Sequence, residues 1–525
     1  MSKELADDQI NKPISLWERL KETTILEYSS DMSSINMKPD CRIPNHHNPD
    51  CEKLERAAVL ENKSETRTQF LAASVASLTG VMMGQMLSWS SPVTPLLIKN
   101  NIITKEEESW LVSILNFGAL LGCTAAGTVN SYVGRKTVLV VSLISNIISL
   151  SLQLTACLPQ MISWLVLAFS SQIMILCFAR FLGGLCVGFF CVTSPLYISE
   201  IAQVSVRGAL GALFQLSVTI GILTTYTLGL LNNALQITLA SSVIVLIFGS
   251  LFFMMPESPI YLLMANRPEE ASNSLQWLRG RQFDIRQEKE MMESQVQESK
   301  ENKASYSEFF TDRGSLRALI IATGLFFFQQ FCGINAVIFY MNTIFENAGG
   351  AFSPTVATIV IAFLQVLGTA LSVSLMEKAG RRILFIGSFT ACTLCVFALG
   401  LFFFLKERGF DVSSIEWLPL VSVATFLVVY ALGAGPVPWA LLGELFNKNI
   451  SSLAVSVVTG VGHWASAFLV TKAFATTQFY FGIGVTFWMF FAFCLVGIIF
   501  AWALVPETKG RQLQDILDEL SGKLK

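Results

Sequence analysis

GALGALFQLSVTIGILTTYTLGLLNNALQITLASSVIVLIFGSLFFMMP, residues 208–256, contains no Asp, Glu, Lys or Arg. A bilayer core about 30 Å thick takes roughly 20 apolar residues per helix, so this run is long enough for two crossings. Asn232-Asn233 in its middle supplies a polar turn between them, which makes the stretch a hairpin of spans. Uncharged runs recur on both sides: Phe70–Ile98, Leu111–Val133 and Thr137–Ala179 before it, and Ala318–Phe345, Asn347–Met376, Ile383–Leu405, Trp417–Gly443, Asn449–Thr471 and Ala473–Pro506 after it. The fold they predict is an all-α membrane protein of twelve transmembrane helices, six on each side of the hydrophilic stretch Glu257–Arg317. Thr137–Ala179 is longer than one helix, a turn and the start of the next require, and Leu158-Pro159-Gln160 interrupts it. An extended apolar loop after the third helix is preferred there to an extra reentrant piece.

Composition agrees. Of 525 residues 53% are apolar and 14% charged, and 40 Phe outnumber the 36 Lys and Arg together, more apolar surface than soluble cores of this length hide. A net charge of −2 argues against nucleic-acid partners. The 11 cysteines are scattered, mostly within apolar runs, and read as packing residues rather than a disulfide framework. No apolar signal core precedes residue 69, so the amino terminus is expected in the cytosol. Basic residues then fall where inner loops should be (Arg135, Lys136, Arg207, Arg381, Arg382, Lys448 and the middle loop), and even parity returns the tail to the cytosol. The expected organisation is a polar tail (1–68), a first six-helix bundle (69–256), a cytosolic middle loop with short helices at Pro268–Leu278 and Gln287–Gln297 (257–317), a second bundle (318–506) and a tail (507–525).

The halves repeat. Gly134-Arg135-Lys136 has a counterpart in Gly380-Arg381-Arg382, 246 positions on; Glu200 in Glu444, 244 on; Pro256-Glu257-Ser258 in Pro506-Glu507-Thr508, 250 on. Three different motifs at one offset indicate duplication, with two bundles facing each other across a site near mid-membrane, an architecture suited to alternating access.

These motifs, with Pro195-Leu196-Tyr197-Ile198-Ser199-Glu200, Gln329-Gln330-Phe331-Cys332-Gly333-Ile334-Asn335, Gly435-Pro436-Val437-Pro438-Trp439 and Pro506-Glu507-Thr508-Lys509-Gly510-Arg511, resemble in order and over about residues 70 to 515 the sugar porters of the major facilitator superfamily. Within that family the general similarity is greatest to insect trehalose and hexose facilitators. The resemblance implies transport of a small neutral sugar across a lipid bilayer, without a cofactor or catalytic residues.

The residues suit that task. Sugar hydroxyls both donate and accept, as amides do, and ring faces stack on aromatics. Gln329, Gln330 and Asn335 place three amides within two turns of the seventh helix, and their cost in lipid predicts that they face inward; helix–helix hydrogen bonding is the alternative. The resemblance adds Gln215, Gln365, Trp439 and Trp464 as further sugar contacts, interfacial anchoring being the bland role for the tryptophans. It also exposes departures: Ala431 stands where glucose facilitators carry glutamate, Ala467 replaces an asparagine, and His463 precedes Trp464 where they carry asparagine. His463, counted among the sugar-site residues, is read as a hydrogen-bonded packing residue, with proton carriage as the alternative. The proline-rich break after Gly433 cannot run as regular helix and is expected to bend as a gate. The family's cytosolic ion-pair gate maps onto Arg135, Glu200, Arg207, Glu257, Glu377, Arg381, Arg382, Glu444 and Glu507. Ser451 stands where a basic residue belongs, with Lys448 nearby.

Cys41, His46, His47 and Cys51 match no common zinc spacing and are read as part of a polar tail, so no metal is expected. Asn62 and Asn449 begin glycosylation sequons on the predicted cytosolic side, where neither is modified. Three functions compete: a passive sugar carrier, preferred because Phe70–Ile98 carries no acid; a proton-coupled symporter, which requires a titratable carboxylate facing the site; and a non-transporting sugar sensor. No nucleophile and base group together as an enzyme would require.

Overall fold

The computed structural model describes residues 66–132, 149–203, 205–280, 283–301, 313–349, 353–446, 454–511 and 513–521. Ser64–Lys525 forms one compact unit. The Cys41–Cys51 group, both sequons, Arg135, Lys448 and Ser451 lie outside the described residues, as does the side chain of Glu377.

Eleven helical segments among the described residues are long and apolar enough to cross a membrane. In chain order the spans are helix one (Arg67–Ser88 continued by Ser90–Lys99), two (Lys105–Tyr132), three (Ser149–Phe169), four (Ile173–Ile201), five (Arg207–Leu228), six (Ala234–Phe252), seven (Arg313–Phe331 continued by Ile334–Ala348), eight (Pro354–Ala379), nine (Arg381–Glu407), ten (Leu418–Val429 to Pro436–Glu444), eleven (through Ser466–Phe481) and twelve (Ile483–Leu504). Helix three is the twelfth crossing. It corrects the reading of Thr137–Ala179: Pro159 sits inside helix three, whose last residue is Phe169, and only Ser170–Gln172 separates it from helix four. The part of the run beyond one helix, a turn and the start of helix four is 137–148, outside the described residues; the run ends at Arg180, a charge that is itself fully buried in helix four.

The short helices fall close to the expected places, at Pro259–Met264, Pro268–Arg279 and Arg286–Glu301, with a last one at Leu513–Ser521. Arg279 is buried, its guanidinium gripping Glu288 at 2.6 Å and the Ile201 carbonyl at 2.9 Å, which ties this layer to the end of helix four. Leu520 accepts at its carbonyl from Arg317, docking the last helix on the start of helix seven (2.7 Å).

Helices one, two, four and five pack backbone against backbone. A Cβ on Gly84 would strike the Val218 backbone of helix five, one on Gly221 the Val81 backbone of helix one, and Gly122 and Gly188 do the same between helices two and four. In a lipid-facing bundle such close approach replaces the hydrophobic drive with van der Waals contact. The halves meet along helices two and eleven, five and eight, and one and seven. Asn116 donates to Thr471 (3.0 Å), Tyr226 to the Ile338 carbonyl (2.7 Å), Ser90 to the Phe339 carbonyl (3.1 Å), and Lys472 to Ser109 (2.7 Å) while lying 3.7 Å over the Trp110 ring.

Duplication extends to detail. Helices one and seven start 246 positions apart, at Arg67 and Arg313, and both are interrupted, around Trp89 and at Cys332-Gly333.

Candidate functional site

The broken segments of the second half converge. Helix ten leaves α-helical geometry at Tyr430–Ala434, a π-helical turn, and resumes at Pro436; helix eleven, which begins at Ala454, carries a second π-helical stretch, Val458–Ala465. Pro436 and Pro438 cannot donate to the carbonyls a turn earlier, and the regular helix expected to fail at this sequence is interrupted there by the π-helical turn. Helix seven breaks where Gly333 takes φ +90, a region open to glycine, with its Cα face against the Phe490 ring.

These breaks bring amides and rings together. Gln330 Nε2 donates to His463 Nδ1 (2.8 Å), and Gln330 Oε1 accepts from Asn335 Nδ2 (2.7 Å). An amide nitrogen has no acceptor capacity, so His463 is the neutral tautomer with its proton on Nε2. Gln329 Nε2 donates to the carbonyls of Ala434 (2.8 Å) and Gly435 (2.9 Å), and its Oε1 faces Gln330 Nε2 at 3.3 Å. Around this chain of amides Phe326 stands edge-on to Trp439 (4.8 Å) and His463 (5.5 Å), while His463 lies 5.4 Å from Trp439 and 4.7 Å from Trp464. Gln329 and Gln330 are each 1% exposed. The buried Trp464 indole N–H and Gln365 carbonyl oxygen have no hydrogen-bond partner among the described residues. Thus Gln329, Gln330, Asn335, Trp439, His463 and Trp464 form one cluster; Gln365 on helix eight and half-buried Gln215 on helix five stand outside its hydrogen-bonded chain.

The motif residues at the short-helix end form two matching corners. In the first half Glu200 accepts from the Ser258 hydroxyl, and Glu257 accepts from the Ser258 backbone N–H (2.9 Å). In the second Glu444 accepts from the Thr508 hydroxyl (2.5 Å), and Glu507 from the Thr508 N–H (3.0 Å). Arg381 pairs with Glu444 at 2.8 Å, an ion pair inside the second half rather than across the halves. Glu507 also caps helix nine, accepting from the N–H groups of Arg381 (2.9 Å) and Arg382 (3.2 Å). Burial alone would raise its carboxyl, but backbone donors from Lys509, Arg381, Arg382 and Thr508 outweigh it and hold the group below its ordinary value. Gly380, at φ +86, leaves the space: a Cβ would come within 2.7 Å of the Glu507 carboxylate. Arg207 reaches the Ala202 carbonyl at 3.5 Å, and Arg382 that of Trp502 at 2.5 Å.

Sequence reasoning missed two buried charges. Arg180 directs its donors at the carbonyls of Met86 (2.6 Å) and Leu111 (3.4 Å), with its guanidinium 5.2 Å over Trp89. Glu108, 7% exposed, accepts from Thr94 at 2.5 Å. In the sequence Arg180 only ends an apolar run, and Glu108 follows Glu106 and Glu107 in a stretch that reads as a solvated helix start.

Fold and site define a polytopic membrane protein of duplicated helical halves with an amide and aromatic cluster at its mid-span breaks. The family model described as "Sugar (and other) transporter" matches residues 53–520, and the chain belongs to that family. It is 34% identical over 480 residues to the facilitated trehalose transporter Tret1 of Polypedilum vanderplanki, covering 90% of this chain and 92% of that one. It is equally 34% identical over 478 residues to Tret1 of Anopheles gambiae, of whose length the match spans 58%. Among solved structures it resembles the xylose transporter XylE from E. coli in its inward open conformation, with a TM-score of 0.69 at 21% identity over 87% of this chain and 100% of that one. The partially occluded inward open form gives 0.68 at 22% identity over 85% and 99%.

Proposed function

We propose that the protein carries a hexose, trehalose or both across a membrane by alternating access, as a uniporter. The observation that carries this reading is the buried chain Asn335–Gln330–His463 ringed by Phe326, Trp439 and Trp464. Its amides can exchange their mutual hydrogen bonds for sugar hydroxyls, and the rings offer flat apolar faces; the unpartnered Trp464 N–H and Gln365 oxygen add a donor and an acceptor. Membership of the sugar transporter family and likeness to relatives named facilitated trehalose transporters support the substrate class. On this reading the protein lies in the cell membrane with both termini in the cytosol, and the corners at Glu200, Glu257, Arg381, Glu444 and Glu507 face the cytosol with Arg135, Arg207, Glu377 and Arg382.

Uniport is favoured because helix one has no acid between Phe70 and Ile98 and the buried Arg180 donates to carbonyls from Nε and Nη1 while its Nη2 has no hydrogen-bond partner, and no carboxylate is paired to it among the described residues. His463 is engaged at Nδ1 by an amide, which suits a binding role better than proton carriage. One observation favours the second reading, proton-linked transport: Glu108, in the first turn of helix two, is a buried carboxylate. Counterflow of labelled glucose and trehalose in proteoliposomes tests the substrate; a proton gradient that drives accumulation in wild type and not in Glu108→Gln would replace uniport by symport. A protein that binds both sugars but exchanges neither would be a sensor.

A further inference from the structure

Helix eleven, from Ala454 to Phe481, contains a single Lys, Arg, Asp or Glu, which is Lys472. An ammonium within a span is costly unless something receives it, and the residues that receive Lys472 belong to the other half of the molecule. Its Nζ donates to the Ser109 hydroxyl at 2.7 Å and lies 3.7 Å over the ring of Trp110, both on helix two. Among the described residues no carboxylate pairs with it. The acids a turn away are engaged within the first half, Glu107 accepting from Thr104 and Glu108 from Thr94.

The contact sits at the end of the bundle away from the short helices. Helix one starts beside them, Thr68 donating to the Leu278 carbonyl at 2.9 Å, so helix two starts at the opposite end, and Ser109 and Trp110 lie in its second turn. Toward the short helices the same seam continues with Asn116 on Thr471 (3.0 Å), the rings of Phe117 and Phe468 (5.7 Å) and Cys123 beside Thr459 (2.8 Å). Lys472 makes the outermost of these contacts and the one that carries charge. A contact within a half is kept in every state, whereas a contact between halves exists only while they are closed at that end, and it favours that state by its own free energy.

We infer that Lys472 is a latch: bridging helix eleven to Trp110 and Ser109, it holds this end of the two halves shut and sets how often the site opens to the outside. The inference rests on the proposed alternating access and orientation, and goes beyond them by naming a device that biases the two states.

Ser113, fully buried one turn further along helix two from Ser109, reports the opening as Ser113→Cys. In that background the full-length protein, alone and with Lys472→Met, Trp110→Leu, both together, or Lys472→Arg, is purified in detergent and treated with a maleimide in the absence of sugar. Labelling at residue 113 is timed by peptide mass spectrometry. Lys472→Met and Trp110→Leu are each expected to speed labelling about fivefold, the pair together no more than the faster single, and Lys472→Arg, whose guanidinium also lies over a ring, less than about twofold. A tryptophan that serves only as an interfacial anchor would act independently, and its effect would multiply with that of Lys472→Met. Such multiplication, unchanged labelling in both single variants, or a Lys472→Arg protein as fast as Lys472→Met overturns the latch. Should Lys472→Met not fold, Lys472→Gln takes its place, keeping a donor for Ser109 without charge for the ring. Because labelling needs no sugar, a wild type that exchanges neither glucose nor trehalose sinks the transport reading and leaves these rates to decide the latch.

Discussion

The two halves share an offset, a pattern of breaks and matching corners, yet the second adds ring contacts to the backbone packing that both use. In the first half Gly84, Gly122, Gly188 and Gly221 bring helix backbones into contact. In the second, Gly433, Gly462 and Gly484 also meet neighbouring backbone, and others receive rings: Gly324 faces Phe500, Gly333 Phe490, and Gly400 Trp488. The interruptions differ too. Helix one passes its break through Trp89 at φ −53, still helical, whereas helix seven needs Gly333 at φ +90 and helices ten and eleven carry π-helical turns. The position in helix one matching Gln329 is Met83, and that matching Gln330 is Gly84. Duplication therefore shows in the scaffold twice, whereas the cluster of amides and rings and the π-helical turns lie in the second half.

The largest expected effect breaks that asymmetry at the site. Gln330→Leu leaves Asn335 and His463 without a partner, each at about 1–3 kcal/mol, so uptake per molecule at the surface should fall about 20-fold or more. Trp439→Ala should do likewise, whereas Met83→Leu in the first half should change uptake less than about twofold. Comparable losses at Met83 and Gln330 would contradict the division of labour.

Stability sharpens the packing contrast. Gly84→Ala drives a methyl into a backbone that cannot yield and should cost about 1–3 kcal/mol, seen as a lower melting temperature in detergent. Gly324→Ala meets the far end of the Phe500 ring, which can turn aside, and should cost less. Gly333→Ala combines a ring contact with a positive φ and should lose about 1–3 kcal/mol.

The corners should behave alike and weakly. Arg381 and Glu444 are 20% and 30% exposed, so Glu444→Gln removes a pair of about 0.2–1 kcal/mol. Glu200→Gln, whose observed partner is a hydroxyl, should fall in the same range. The smallest effect is in pH dependence. Because Glu507 is held below the usual carboxylate range when folded, its contribution is complete above its unfolded value and disappears as pH falls through the depressed folded one. Glu507→Gln should flatten the acid side of a stability–pH profile and leave the neutral side nearly parallel to wild type.

Much of this was legible in the sequence because lipid imposes one rule, a long uncharged run per crossing, and duplication repeats its punctuation. Pro159 misled: proline usually interrupts a helix, but in a membrane bundle neighbouring segments accommodate it. The amides of helix seven were legible as inward-facing residues, since lipid would not tolerate them. Their partners were not, because Ala434, Gly435 and His463 lie more than 100 positions away and a backbone carbonyl leaves no mark in composition. The gate residues were legible as a set but not their pairing: Arg381–Glu444 stays within one half, and the Thr508 hydroxyl donates to Glu444 while its N–H donates to Glu507.

The central claim is downhill movement of a sugar through a site built by the second half. Uptake of labelled glucose and trehalose into sealed proteoliposomes, with and without an imposed inward proton gradient, tests it most directly. The account predicts that at least one sugar enters until its concentrations inside and outside are equal, with the same end point under both conditions, and that Gln330→Leu abolishes most of the entry. Accumulation above the external concentration under the gradient, or no entry of either sugar by folded wild-type protein, would contradict it.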